Sequence, residues 1–228
     1  MGVVDTIVSI IEIPFKIIGW VIGSVFRWKA IREYISDNQE YIDQVQEMDS
    51  HYRPEPVDVE LGHRCKEYIN QTFPNGIKEK TANMSQEELL SLFQQIESDA
   101  ENLLGVHVDE VDFYTEAEPP QDRYFGYYSH DDNSFHINAM YILSGDQDLI
   151  QEQIYTIFHE LKHARQWAAV LGEQDYGYSR EQLLAWGENL QHYIPPCVSD
   201  ELYRKQPVEL DTYGFESILK GEKQFETI

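Results

Sequence analysis

The stretch that most constrains this chain is residues 154–167, IYTIFHELKHARQW. Its apolar residues recur at helical spacing, and it carries His159, Glu160 and His163 in the order HExxH. On a helix, a four-residue spacing puts both imidazoles on one face, one turn apart, where each can offer a ring nitrogen to the same metal ion. Glu160 follows the first histidine directly, so its carboxylate falls beside the metal position and not on it. That is the place for a general base acting on water. The fold must therefore supply a long, partly buried helix and elements that bring a further ligand to it.

Such a site needs a third protein ligand that leaves one metal position open. In the metzincin pattern a histidine would stand at position 169 and a glycine at 166; here they are Ala169 and Gln166, which excludes that class. The remaining route is a glutamate from a later helix. Beyond the breaker-rich loop at 195–199 the chain reads YRKQPVELDTYGFESIL, where Pro207 is suited to open a helix with Glu209 in its first turn.

HELKHARQ followed by QPVELDTYGFE resembles the zincin peptidases of the gluzincin type. It is similar in particular to the compact bacterial and phage forms with an HELxHxxQ helix and a later PxExDAxxF helix. The resemblance covers residues 106–219. It implies His159 and His163 as ligands, Glu160 as general base, Glu209 as third ligand, and Asp211 as a carboxylate that orients a ligand imidazole. A one-residue slip would make Asp211 the ligand instead. Thr212 stands where alanine is usual. Two histidines and a glutamate are a ligand set typical of one catalytic Zn2+. An electrophilic helper is expected for the oxyanion; Tyr203, just upstream of Glu209, is the first choice, with Tyr176, Tyr178 and Tyr193 as alternatives. His192 is a poorer ligand candidate, and His51 and His63 have no ligand-spaced partner.

The expected fold class is α+β: a zincin-like domain over 81–228, with a small antiparallel or mixed sheet, the HExxH helix and a C-terminal ligand helix. Ser85 and Glu88 form a capping box ahead of a helix through Leu104 that Gly105 stops. The period then changes to two. Val106, Val108, Val111 and Phe113 predict a first strand, and 124–129 with 134–141 predict a hairpin around the turn HDDN at 130–133. An extended peptide substrate can add its backbone to a sheet edge. Phe135, His136, Ile137 and Asn138 are the candidates for that edge strand, with His136 alternating outward.

Residues 29–80 predict a helical arm: one helix marked by Ile31, Tyr34, Ile35, Ile42 and Val45, a break at Pro54 and Pro56, and a second helix over 57–72. Residues 1–28 form an apolar amphipathic segment. From 3 to 26 it is long enough to span a bilayer, but Asp5, Ser9, Glu12, Lys16, Gly19, Gly23 and Arg27 recur at spacings of three and four. That polar stripe suits a membrane interface, a hydrophobic protein partner or packing onto the chain's own domain better than a span. No cleavable secretory signal is evident, since the segment before the apolar run carries Asp5 and no basic residue. A cytoplasmic or membrane-associated location follows.

The formal net charge of -24 argues against nucleic acid as a partner, because little basic surface can release counterions from a phosphate backbone. The acidic residues are dispersed, as in a solvated surface. Cys65 and Cys197 fit neither a disulfide framework nor a metal knuckle and read as free thiols. The expected activity is zinc-dependent peptide-bond hydrolysis of a peptide or protein substrate. The same residues also fit a non-catalytic assembly component docked through its N-terminal helix, which would retain the zincin-like domain for binding.

Overall fold

The computed structural model describes residues 24–49, 53–115 and 125–222; the apolar stretch at 3–23 and His51 lie outside them. In chain order the elements are α1 (Ser24–Glu47), α2 (Pro56–Thr72), α3 (Ile77–Thr81), α4 (Gln86–Leu104), β1 (Glu110–Tyr114), β2 (Gly126–Ser129) and β3 (Ser134–Asn138). They continue as α5 (Ala139–Leu143), α6 (Gln147–Leu171), α7 (Arg180–Gln191), α8 (Asp200–Lys205) and α9 (Pro207–Lys220). The class is α+β, mostly helical with a small mixed sheet. No helix among the described residues is long and apolar enough to cross a membrane. The chain groups into two compact units, residues 54–168 with 214–228 and residues 1–53 with 169–213.

In the first of these units, α4 begins at the Ser85–Glu88 capping box and ends at Gly105 in the left-handed conformation, φ 66°. Its spacing of Leu89, Phe93, Ile96, Ala100 and Leu104 buries one continuous apolar face. The residues that follow do not extend the sheet as the alternation of Val106 and Val108 predicts. The Glu101 carbonyl takes the Val106 N–H, and the Glu101 carboxylate takes the Val108 N–H at 2.6 Å, so these amides are spent on the helix exit. The strand begins at Glu110.

The sheet order is β1-β3-β2, with β1 parallel and β2 antiparallel to β3. This corrects the expectation that Phe135, His136, Ile137 and Asn138 form an open edge. They are β3, the central strand, and their backbone pairs on both sides. Sequence alternation marks a strand but not its neighbours, because the parallel partner is a distant segment. β3 also stops short of the expected end: the Asn138 side chain accepts from Met140 N at 3.2 Å and caps α5. His136 is engaged with Ser134 Oγ at 2.8 Å and Asp112 at 3.4 Å, and its ring stacks on Tyr127. At 130–133, Asn133 adopts φ 49° and its amide donates to the His107 carbonyl and Asp109.

α6 buries Ile150, Ile154, Ile157, Phe158 and Leu161 completely, which is the apolar stripe that frames the HExxH residues. Cys65 is buried on α2 and its thiol is pushed up to about 12, chiefly by burial; it is chemically quiet. Both cysteines are free.

Glu97 lies in the α4 face at 6 % exposure, and its Oε1 has no hydrogen-bond partner. Burial foremost, then the Glu101 carboxylate, pushes it up to about 7. The native state therefore holds a proton that the unfolded chain releases near its ordinary value, so stability falls as pH rises from about 4.5 to about 7. Glu97→Gln removes that ionisation. Thermal melts should show the variant near wild type at pH 5 and more stable by roughly 2 kcal/mol at pH 8. A difference independent of pH would contradict the assignment.

The second unit packs α1 residues Tyr41, Ile42 and Val45 against Ile194 and Leu202. α1 bends at Asn38, φ -117° and ψ 16°. α7, which the sequence reading did not resolve, starts at the Ser179 cap and buries Trp186 edge-on to Tyr178.

Candidate metal centre

Three anchors set the motif helix in its unit. Lys162, between the two motif histidines, reaches Asp58 on α2 at 2.9 Å. Arg165 donates to the Leu104 carbonyl at the end of α4, where helix carbonyls need donors. Trp167 stacks on His130 of the β2–β3 turn, centroids 3.9 Å apart.

With α6 so held, His159 is buried and His163 half-buried, their rings 5.0 Å apart at 76°. His159 Nδ1 meets Glu216 Oε2 at 3.0 Å, and His163 Nδ1 meets Gln166 Oε1 at 2.8 Å. An Nδ1–H donated to an oxygen leaves the lone pair on Nε2, the tautomer that can ligate a metal through Nε2. Glu216 is itself held by Lys220 at 2.5 Å, and Lys220 also reaches Glu152 at 2.9 Å. Burial works to raise the Glu216 carboxyl, but His159 and Lys220 override it and hold it down to about 2.

Glu160 accepts the Tyr128 backbone N–H at 3.1 Å. β2 has one neighbour in the sheet among the described residues, so that N–H points away from β3. Among the described residues β2 is thus one of the two edge strands of the sheet, with β1 the other, and its Tyr128 amide holds the Glu160 carboxylate.

In the other unit, Pro207 opens α9 and Glu209 lies in its first turn, as expected, at 1 % exposure. The start of the helix is held by a buried amide pair. Asn189 donates to Gln206 at 2.8 Å and accepts the Val208 N–H at 2.9 Å, while Gln206 bonds both N–H and carbonyl of Ile194. Thr212, the departure from the usual alanine, donates to the Val208 carbonyl at 2.9 Å and so satisfies its buried hydroxyl within the helix. Tyr193 donates to Glu209 Oε1 at 2.7 Å.

His159, His163 and Glu209 each present one ligand atom, and the three atoms lie within 4.8 Å of one another. Two imidazoles set for Nε2 donation and one buried carboxylate fit a zinc ion by charge and donor type. Of the residues singled out in the sequence, His159, His163 and Glu209 are thus brought together. Glu216, two turns from Glu209 on the same side of α9, is the carboxylate on His159, and no local spacing in the sequence marks it. Asp211 is buried on α9, but two residues from Glu209 it leaves the helix on another side. The tyrosine at the Glu209 carboxylate is Tyr193, whereas Tyr203 packs edge-on against Tyr193 and Tyr213. His192 bonds Asn38 at 3.1 Å, a structural role, and His63 is exposed.

Comparison with protein-family models, with curated protein sequences and with solved structures finds no match to this chain.

Proposed function

We propose that the protein is a zinc metallopeptidase, gluzincin-like in its site, that hydrolyses peptide bonds. The observation that carries this reading is that ligand atoms of His159 and His163, on the helix that also carries Glu160, and of Glu209 lie within 4.8 Å of one another. Zinc, when bound, supplies Lewis acidity that polarises a carbonyl and acidifies water. Glu160 then takes the proton from water and delivers it to the leaving amine. The Tyr128 N–H keeps the Glu160 carboxylate oriented for both transfers without a large change in position. The outward backbone groups of β2 other than the Tyr128 N–H, which Glu160 takes, are suited to pair with an extended peptide, which would place the scissile bond near Glu160. Glu216 and Gln166 keep the two imidazoles in the metal-binding tautomer.

Metal analysis tests the reading. The purified full-length chain should carry about one equivalent of zinc, and His163→Ala should lose it with the fold retained. A correctly folded wild-type chain that binds no zinc would overturn the proposal.

A further inference from the structure

We propose that α1 is a working part of the metal centre: Tyr34 and Asn38 fix the 192–193 loop so that Tyr193 holds Glu209 in the orientation a metal ligand needs. The inference rests on Glu209 being a zinc ligand. It adds that the helical arm, which the chemistry does not otherwise use, sets that ligand's geometry.

Tyr193 is the group in contact with Glu209, its hydroxyl donating to Oε1 at 2.7 Å. A carboxylate already held through one oxygen has given up its rotation beforehand, so it loses less freedom when metal binds. Tyr193 itself lies past the end of α7, in a stretch without regular hydrogen bonding, so its position must come from elsewhere. It comes from α1. The Tyr34 hydroxyl reaches the carbonyl oxygens of Tyr193 at 2.5 Å and His192 at 3.2 Å. Asn38 places its side-chain oxygen on His192 Nδ1 at 3.1 Å while its amide donates to the Tyr34 carbonyl at 3.0 Å. The Tyr41 ring stacks on the His192 ring, centroids 5.4 Å apart.

Asn38 is also the residue at which α1 departs from helical geometry. The bend and the contact coincide, so the helix is shaped to present Tyr34, Asn38 and Tyr41 together to the loop. Helix packing alone would need only the apolar face through Ile42 and Val45. A tyrosine hydroxyl spanning two consecutive carbonyls fixes the backbone direction at Tyr193, and the phenol follows from it.

Zinc affinity of the purified full-length chain, measured by competition with a chromophoric chelator, tests this without reference to activity. Tyr193→Phe should weaken zinc binding about tenfold. Tyr34→Phe, one step further out, should weaken it about threefold, and the double variant no more than Tyr193→Phe alone, because both act by one route. Ile42→Val is the control for general loosening of α1: it should lower the melting temperature and leave zinc affinity unchanged. Glu209→Ala should abolish tight binding. If Glu209→Ala weakens zinc binding while Tyr34→Phe melts earlier but binds as wild type, the inference fails and the site stands. Additive losses in the double variant would also overturn it. If Glu209→Ala binds zinc as wild type, the ligand assignment and the inference fall together.

Discussion

Glu160→Gln should lower turnover of a peptide substrate by about 10^3-fold while zinc content stays near one equivalent. The amide is isosteric with the carboxylate but cannot take a proton from water. Its carbonyl can still accept the Tyr128 N–H, so α6 and β2 keep their contact. Magnitudes separate chemistry from stability here. Exchanging a hydrogen bond to a charged acceptor for one to a neutral acceptor costs about 1 kcal/mol, whereas a thousandfold loss of rate is about 4 kcal/mol in the barrier. A folded, zinc-loaded variant with wild-type turnover of a quenched fluorescent peptide would remove Glu160 from the mechanism. Loss of zinc in the variant would instead put Glu160 among the ligands. A wild-type chain that holds zinc and cleaves no peptide would move the balance to the non-catalytic assembly role.

The parts of this site that were legible in the sequence are those written in local spacing. His159, Glu160 and His163 announce themselves because one helical turn is a fixed distance, and Pro207 ahead of Glu209 marks a helix start by chemistry intrinsic to proline. The capping box at Ser85 and Glu88 is legible for the same reason. What was not legible depends on contacts across the chain. The place of β3 in the middle of the sheet comes from its parallel pairing with β1, and alternation carries no such information. Glu216 is one carboxylate among 41 acidic residues, and only its meeting with His159 distinguishes it. Tyr193 is one of 15 tyrosines, and the loop geometry that selects it over Tyr203 depends on α1. Val106 and Val108 show the opposite error: their alternation has strand period, but Glu101 claims both amides.

Lys162→Met should destabilise the protein by about 3–5 kcal/mol, the largest stability effect expected of any single substitution outside the site. Lys162 and Asp58 are ion-paired at 2.9 Å with both side chains at 0 % exposure. The Lys162 ammonium also lies 5.8 Å from the centre of the Phe215 ring. Removing the ammonium leaves the Asp58 charge in a place that water does not reach, and its desolvation is then opposed by much less. The exposed pair Lys29–Glu33, at 3.6 Å with 75 % and 65 % exposure, provides the contrast: breaking it should shift stability by well under 1 kcal/mol. Against a total stability of about 5–15 kcal/mol, the buried loss should lower the melting temperature by roughly 10 °C. The double variant Asp58→Leu/Lys162→Met replaces the charges with apolar volume and should recover most of that loss. Equal melting temperatures for the single and double variants would show that Lys162 contributes packing and not charge compensation. Because Lys162 stands between His159 and His163, the pair also sets the rotation of the motif helix. The double variant, restored in stability but without that constraint, should therefore bind zinc more weakly than the wild-type chain.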